Sequence, residues 1–320
     1  MTRHPSVCAL ALPVALLLLA AAALPLGGCG EEFEPYNELS GFRVLGVEAD
    51  SPWAASGESV QLDALLHTPS PSEVTTWWSW CPLPYEGSDT IECGVTYDAY
   101  QRLVSEVDPD FVAPAYMLGA AASTELPYPV PPGAVTEVCE ALLALERPTL
   151  LEEPDCAHGL TVVAVLSAEH EGEVITTFKR VFLPAEDTPQ RNPTLSGLSA
   201  RRGDDAAVVL DDARSTRLKA GAEYTLLAEI PTDAAESYVG YTEIDAGEVK
   251  TETLSLTWFV EGGETDFIRT SYIAEEGALE EAGVNTWTTP DAPGEQLWLH
   301  VVVRDDRGGT GWLSRRVTLE

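Results

Sequence analysis

Basic residues are scarce in this chain of 320 residues. It has 18 Lys and Arg against 52 Asp and Glu, which gives a formal net charge of −34, and its lysines are Lys179, Lys219 and Lys250 alone. Nucleic-acid binding needs patches of Lys and Arg that neutralise phosphates, so we expect no nucleic-acid partner. An acidic exterior keeps a secreted protein soluble, and we favour that interpretation over a surface for cations or basic partners.

Catalytic and metal-binding motifs are also missing. The sequence has five histidines but neither a GxSxG nor a CxxC motif, and no histidine belongs to a recognisable serine or cysteine nucleophile motif. Nucleophilic catalysis needs a base beside the nucleophile, and structural zinc or thiol redox sites favour paired cysteines. We therefore expect no enzyme activity, no metal and no cofactor. A carboxylate pair for glycoside hydrolysis stays open, because the many acids do not single one out.

One long hydrophobic run is present, at the N-terminus. Arg3 and His4 precede it, residues 9–24 are almost entirely Ala, Leu and Val, and Leu26-Gly27-Gly28-Cys29 closes it. This is the layout of a secretory signal. Its ending resembles the lipobox of bacterial lipoproteins, in which the chain is cut before the cysteine and the thiol is acylated. The resemblance implies a signal peptide over residues 1–28 and lipidation of Cys29.

The lipobox resemblance further implies membrane attachment through the N-terminal lipid. Because Gly30 rather than Asp follows the cysteine, it points to the outer membrane of a Gram-negative cell. An uncleaved transmembrane helix is one alternative, since residues 7–26 are about long enough to cross a bilayer. Pro13 and Pro25 interrupt that run, and an acidic segment follows it. An ordinary secretory signal is the other alternative, which the small residues directly before the cysteine disfavour.

Four cysteines follow Cys29 in the mature chain: Cys81, Cys93, Cys139 and Cys156. An even number outside the cytoplasm indicates two disulfides, for which three pairings exist. We prefer the pairing with the shortest loops, Cys81–Cys93 and Cys139–Cys156. Each of these bonds would then staple a segment that is rich in Pro and Gly.

Period-two alternation of apolar residues predicts β-strands in the first half of the mature chain. Strands are expected from Phe42 onward, over residues 57–66 and 74–80, and in a hairpin over 160–183. Between them, residues from about 82 to 158 lack sustained alternation and include two segments of helical spacing, 97–107 and 133–147. We interpret 82–158 as an insertion, and long irregular segments of this kind tend to be functional.

The second half repeats the plan of the first. Residues 221–230 echo 57–66, residues 254–260 echo the Trp-bearing strand, and the closing hairpin lies 136 residues after the first hairpin. Such self-similarity indicates a duplication. The polar, proline-bracketed segment 184–193 marks the boundary. We therefore predict a tether over 29–41, a first domain over 42–186 and a second over 187–320.

Short strands, Pro and Gly turns and a tryptophan in the middle strand favour an antiparallel sandwich. Residues 301–309 followed by Val317-Thr318-Leu319 resemble the last two strands of PKD-type immunoglobulin-like bacterial domains, and Leu256-Thr257-Trp258 resembles their middle strand. The resemblance covers about the last 70 residues and implies display or adhesion without catalytic residues. The predicted fold is all-β: two tandem immunoglobulin-like antiparallel β-sandwiches, the first with a partly helical, disulfide-bonded insertion.

Tryptophans are the best candidates for contact residues. On a strand, Trp78 and Trp80 share one face, and we place Trp80 and Trp258 in the cores. Exposed contact is instead expected for Trp77, Trp298 and Trp312, with His300 on the same outward face as Trp298. The acidic run at residues 305–309 is interpreted as a tight turn, because a hairpin tip alone cannot supply the six or more oxygens of a calcium site.

These observations predict a lipid-anchored, extracytoplasmic, non-catalytic binding protein. Its partner is expected to be a protein or glycan of the cell envelope, and the contact region to be the insertion, because loops on rigid scaffolds carry recognition. One alternative is a structural subunit of an envelope assembly that uses exposed sheet edges. Another alternative is a hydrolase with its site in the insertion. A pocket that brings His158 together with several acidic residues would support it.

Overall fold

The structure is a computed structural model that describes residues 36–70, 72–86, 91–145, 155–186, 188, 190–211, 216–240 and 247–320. The predicted signal peptide and Cys29 lie outside these residues. Residues 36–320 form one compact unit. Within the described ranges, no helix is both long enough and apolar enough to cross a bilayer.

In the first half of the described chain, which we call the first sandwich, the elements follow in this order: β1 Arg43–Ala49, β2 Val60–His67, β3 Thr75–Cys81, β4 Pro84–Glu86, β5 Ile91–Cys93, α1 Tyr97–Val107, β6 Met117–Gly119, β7 Ser123–Leu126, α2 Val135–Leu143, β8 Gly159–His170 and β9 Glu173–Pro184. The second half, the second sandwich, continues with β10 Gly197–Arg201, β11 Val208–Val209, β12 Thr216–Leu218, β13 Glu223–Glu229, β14 Ser237–Val239, β15 Val249–Thr251, β16 Leu254–Val260, β17 Glu264–Thr265, β18 Arg269–Tyr272, α3 Leu279–Ala282, β19 Val284–Thr288, β20 Gln296–Asp305 and β21 Thr310–Leu319.

The first sandwich packs the sheet β1-β2-β7 against the sheet β6-β3-β8-β9. The alternation in β3 explains its place between them: Thr76, Trp78 and Trp80 are buried, whereas Trp77 and Ser79 are only half-buried. The indole N–H groups of Trp78 and Trp80 donate to backbone carbonyls at 2.8 and 2.9 Å. Both large rings therefore enter the core without an unpaired polar group.

The segment predicted as an insertion is part of this sandwich rather than an addition to it. Its strand β6 pairs with β3, and its strand β7 pairs with β2, so it contributes to both sheets. Helix α1 begins after the N-cap Thr96 and buries Tyr100 and Val104 in the same core. Both predicted disulfides are confirmed, Cys81–Cys93 and Cys139–Cys156.

The second sandwich packs the sheet β11-β10-β13-β19-β17 against the sheet β12-β21-β20-β16-β18. The predicted core position of Trp258 is confirmed, and Trp287 is equally buried. Among the strand pairs of the described residues, β12 and β21 run parallel, whereas the others are antiparallel. The all-β sandwich fold expected from the sequence is the fold observed.

The two long hairpins turn differently. In β8–β9 a two-residue turn has Glu171 and Gly172 at φ of 52° and 89°, the left-handed conformation that two-residue hairpins require. In β20–β21 the loop is longer, with Gly308 at φ 99° and a bond from Asp305 N–H to the Gly309 carbonyl. With the repeat offset of 136 residues, the pairing of the first hairpin would place Leu299 opposite Arg316. The longer loop shifts this register by one residue, so Leu299 pairs with Arg315 instead.

A third, small core joins the two sandwiches. We call it the interface cluster, and it consists of the buried side chains Leu39, Leu45, Phe259 and Val302. Alternation along β20 explains it, since Val301 and Val303 point into the second sandwich while Val302 points out of it. His300 shares the outward face and is nevertheless buried. The outward face predicted for His300 is confirmed, but the first sandwich covers that face, with the His67 ring of β2 centred 6.0 Å from the His300 ring.

The start of the described chain is bound to the second sandwich. In the segment Asn37–Leu39, which we call the strap, the Leu39 N–H donates to the Val260 carbonyl at 2.9 Å, and the Val260 N–H donates to the Asn37 carbonyl at 3.0 Å. Asn37 Nδ2 also donates to Thr265 Oγ1 at 2.7 Å. Residues 37–39 of the predicted tether are therefore fixed in place, because their backbone groups bond to Val260 at the end of β16, beyond the residues that pair with β18.

Candidate binding cleft

A cleft of about 570 Å³ opens where the two sandwiches meet. Trp53, His158, Phe182 and Pro184 of the first sandwich line one side. The other side is formed by the second sandwich, with Glu236, Tyr238, Val239, Val249 and Arg307. Apolar walls with a few polar groups are typical of ligand-binding clefts.

Backbone bonds fix the wall of the first sandwich. The Phe182 N–H donates to the Pro52 carbonyl at 3.0 Å, and the Ala54 N–H donates to the Phe182 carbonyl at 2.8 Å. These bonds hold Trp53 beside the end of β9, and the rings of Trp53 and Phe182 lie 4.8 Å apart at a tilt of 56°. The aromatic wall is therefore built on strand-like backbone rather than on a loop.

Arg307 lines the cleft between the residues of the first sandwich and those of the second. Its guanidinium carbon lies 4.3 Å from the centre of the Trp53 ring and 4.6 Å from the centre of the Tyr238 ring. The side chain is only 7% exposed. A guanidinium held between two aromatic rings gains cation–π energy, about 2 kcal/mol or more when desolvated. Arg307 thus links one sandwich to the other.

Carboxylates beneath Arg307 balance its charge. Arg307 Nη1 lies 3.1 Å from Glu252 Oε1 and 4.0 Å from Glu236 Oε2. Glu252 is fully buried and also accepts bonds from the Glu236 N–H at 2.9 Å and from Gln190 Nε2 at 3.4 Å. Burial, with the nearby charge of Asp305, raises the pKa of Glu252 to about 7. This group therefore titrates near neutral pH.

The acidic hairpin tip is a turn, as expected. Asp305 Oδ1 accepts from the backbone N–H of Arg307 at 2.9 Å and of Gly309 at 2.6 Å, which closes the loop on the carboxylate. Lys179 of β9 reaches the same tip, donating to the Gly308 carbonyl at 2.6 Å and to Thr310 Oγ1 at 3.0 Å. Burial lowers the pKa of Lys179 to about 8 despite the charge of Asp305.

One strand turns its edge to the cleft. Ser237, Tyr238 and Val239 are consecutive in β14 and all line the cleft, although successive side chains of a strand point to opposite faces. In the pair β14–β15, backbone bonds fall on Glu236 and Gly240. In an antiparallel pair, residues whose N–H and C=O groups bond to the partner strand alternate with residues whose groups point away from it. Ser237 and Val239 fall on the second kind of position, so their N–H and C=O groups point away from β15. Among the described residues, the sheet of β14 contains β15 alone.

None of the three tryptophans predicted for exposed contact lines this cleft. Trp77 is half-buried in the sheet of β3, beside β8. Trp298 is half-buried and stacks on His300, with ring centres 5.6 Å apart at 17°. Trp312 is not an exposed contact residue, because it packs against the interface cluster. Trp312 is covered by packing between the two sandwiches, which the alternation of residues along a strand does not predict.

His158 does lie in the cleft, with Glu186 and Glu236 among the other lining residues. Its Nδ1 lies 2.7 Å from Asp155 Oδ2, which holds the ring. Glu236 is engaged by Arg191, whose Nε donates to its Oε1 at 2.8 Å. In the part of the chain that the structure describes, no group of three or more His, Cys, Asp or Glu side chains is arranged to hold a metal ion.

The sequence did not single out Trp53, Phe182, Tyr238 or Arg307. Trp53 follows the turn Asp50-Ser51-Pro52, and Arg307 sits within a run that is typical of turns. An aromatic residue after a proline turn and an arginine at a hairpin tip are weak signals separately. Their contact joins positions 254 residues apart, which one sequence does not reveal.

Comparisons with known proteins give no family. No protein-family model matches the chain, and no curated protein matches it. Among solved structures, the chain is similar to the Escherichia coli alpha-2-macroglobulin activated by porcine elastase (9% identity, 90% of this chain and 22% of that chain covered, TM-score 0.20). It is also similar to the three N-terminal domains of the bacteriophage RB49 outer capsid protein Hoc (12% identity, 88% and 99% covered, TM-score 0.19). A third is dimeric latent PorU from Porphyromonas gingivalis (10% identity, 88% and 24% covered, TM-score 0.20). The chain thus spans about a fifth of the macroglobulin, and likenesses this weak say nothing about function.

Proposed function

We propose that this protein is a lipid-anchored, extracytoplasmic binding protein without catalytic activity. Its ligand is an extended, basic segment of another envelope or secreted protein, bound in the cleft between the sandwiches. The observation that carries the proposal is the cleft itself, in which the aromatic wall around Trp53 faces the strand edge of β14. The contact region is thus the cleft, to which the predicted insertion contributes only its end, at Ala157 and His158.

The strand edge supports an extended peptide as the ligand. Ser237 and Val239 turn their peptide groups away from β15, and a peptide that pairs with such an edge gains main-chain hydrogen bonds. Val239 and Val249 stand opposite each other in the hairpin and are 60% and 77% exposed. They offer apolar contacts for alternate side chains of a bound strand.

The charge of the cleft supports a basic ligand. Glu186 lines it, whereas Glu236 is paired with Arg191 and the guanidinium of Arg307 is paired with Glu252. The whole chain carries a formal net charge of −34. Such a field attracts cationic partners and speeds their association.

The anchor rests on Leu26-Gly27-Gly28-Cys29, and two disulfides suit an extracytoplasmic protein. Metabolic labelling of bacterial cells with a fatty acid tests it directly. We expect the wild-type chain to take up label and the Cys29→Ala variant to take up none. Equal labelling of the two, or no labelling of either, contradicts the anchor.

Ligand binding is tested with peptides selected from a random 12-residue display library panned on the purified mature chain. We expect selected peptides to be rich in Lys or Arg and to alternate apolar residues. Their affinity, measured by fluorescence anisotropy, should fall about tenfold or more for Val249→Lys or Val239→Lys, because a new positive charge repels a basic ligand and, when buried beneath it, costs more than ~1.4 kcal/mol.

Val209→Lys is the matched control, since Val209 is 68% exposed on β11 and does not line the cleft. It should bind the selected peptides as the wild type does. Peptides that lose equal affinity to the control variant, or selections without any basic preference, contradict the proposed ligand.

A hydrolase is the second candidate, because His158 oriented by Asp155 lies in the same cleft as Glu186. General acid–base catalysis needs such an oriented group within reach of the substrate. Purified protein would be screened with chromogenic peptide, ester and glycoside substrates. Turnover that is lost in the His158→Ala variant would establish this candidate in place of a purely binding function.

A further inference from the structure

Exposed apolar side chains surround the point where the described chain begins. Tyr36, Phe267, Ile268 and Val284 are 55%, 59%, 44% and 40% exposed, and we call them the exit patch. Isolated exposed apolar residues are ordinary, but a contiguous group marks a surface that contacts something apolar.

Hydrogen bonds place the backbone of Phe267 beside Asn285, the residue that follows Val284 in β19. The Phe267 N–H donates to Asn285 Oδ1 at 3.2 Å, and Asn285 Nδ2 returns a bond to the Phe267 carbonyl at 2.7 Å. Val284 directly precedes Asn285. Thr265 Oγ1 also donates to the Phe267 carbonyl at 3.2 Å.

The strap ties Tyr36 to the same place. Asn37 Nδ2 donates to Thr265 Oγ1 at 2.7 Å, and the Tyr36 ring packs on Phe259 with centres 5.6 Å apart. The chain therefore leaves the body beside the exit patch, held there by bonds to the second sandwich.

The length of chain before the strap decides what can reach this surface. Six residues separate Cys29 from Tyr36, and the span between the two reaches at most ~25 Å at ~3.3–3.6 Å per residue. A compact body the size of residues 36–320 has a radius of gyration of roughly 19 Å. A tether this short brings the side that carries Tyr36 to the membrane and keeps the opposite side away.

We propose that the exit patch rests in the headgroup region of the bilayer to which Cys29 is attached. This inference depends on the lipid anchor of the proposed function. Tyr and Phe are suited to this region, since an amphipathic ring sits at the boundary of water and acyl chains. One acyl chain alone holds only marginally, so a second contact strengthens attachment.

The charges around the exit patch favour neutral lipid. Arg269 follows Ile268 and is exposed, with Glu264 and Asp266 close by in sequence. This mixture matches the paired charges of zwitterionic headgroups. A strongly anionic surface would instead repel a protein whose formal net charge is −34.

The test uses the full lipidated chain in vesicles of phosphatidylethanolamine and phosphatidylcholine, with brominated acyl chains as quenchers. An environment-sensitive fluorophore is attached to Val284→Cys or, as matched control, to Val209→Cys. Val209 lies in β11 at the opposite edge of the sheet from β17. We expect quenching at position 284 to exceed that at 209 by about threefold or more, as for groups ~5–10 Å inside the interface.

A second variant tests the patch rather than the label. Replacing Phe267 and Ile268 together by Ser should return quenching at position 284 to the level of the control, while the same change at Val208 and Val209 should not alter it. Equal quenching at both label positions, in protein that floats with the vesicles, overturns the patch and leaves the anchor standing. Failure of the wild-type chain to float overturns the anchor instead, and the inference with it.

Discussion

Replacing Glu252 by Gln should remove the contribution of this one carboxyl to the change in stability between pH 5 and pH 8. Glu252 is fully buried beneath Arg307 and titrates with a pKa of about 7, against an ordinary 4.5. A group whose pKa is raised by folding stabilises the folded state below its unfolded pKa, and this contribution is lost as pH rises through the folded pKa. The free energy of unfolding should therefore fall with rising pH on account of this one carboxyl.

The magnitude follows from the two pKa values of Glu252. At ~1.36 kcal/mol per pKa unit the full effect is about 3 kcal/mol. Because Glu252 in the unfolded chain is already partly ionised at pH 5, about 2.5 kcal/mol of it falls between pH 5 and pH 8. Burial also raises the pKa of Asp305, but Asp305 is present in wild type and variant alike. The difference between their pH profiles therefore isolates Glu252.

Urea unfolding followed by tryptophan fluorescence at several pH values measures this difference. Glu252→Gln also loses the bond that Glu252 accepts from the Glu236 N–H, at a cost of about 1–2 kcal/mol at every pH, so the slopes rather than the absolute stabilities are compared. Glu173→Gln, at an exposed position, is the control and should follow the wild type. If Glu252→Gln retains the full wild-type slope, the buried-carboxyl account of Arg307 and its partners is refuted.

Three further perturbations test the packing. Replacing Cys139 and Cys156 together by Ser should lower the free energy of unfolding by about 3 kcal/mol in urea titrations, since their separation of 17 residues closes a loop of moderate entropy; no loss would mean that the unfolded chain is not constrained by this bond. Lys179→Met should cost about 1–3 kcal/mol in the same assay, because it leaves the Gly308 carbonyl and the buried Thr310 Oγ1 without their donor; a stabilised variant would contradict this role of Lys179. Trp258→Ala should cost about 3–5 kcal/mol by leaving a cavity in the second core, and calorimetry that finds a smaller change would mean that the core collapses around it.

Local patterns predicted much of the fold. The helix expected over 97–107 has those bounds in the structure, and the strand expected over 254–260 has those bounds as well. Capping by Thr96 and the alternation of Leu256 and Trp258 into the core are short-range features. The disulfide pairing followed because short loops joined cysteines that the strands and helix bring together.

The candidate site was out of reach for a physical reason. Alternation separates the two faces of a strand but does not say what covers the outer face, which is why Trp312 was expected to be exposed and the burial of His300 was not foreseen. Arg307 stands in a run of Asp and Gly that any tight turn would favour. Its aromatic partners come from Trp53 in the other sandwich and Tyr238 in another hairpin, and such long-range pairings leave no periodic signal.

The contacts between the sandwiches indicate a cleft that exists before any ligand binds. The strap binds β16 at Val260, which pairs with Leu299, whereas Arg307 follows Asp305, which pairs with Leu254 at the other end of the same strands. These two attachments are about 20 Å apart at ~3.4 Å per residue, and the interface cluster lies between them. A single contact would act as a hinge, but two separated contacts with a packed core between them resist rotation. Since little ordering is then required of the cleft walls, the entropy cost of binding would fall mainly on the proposed peptide ligand.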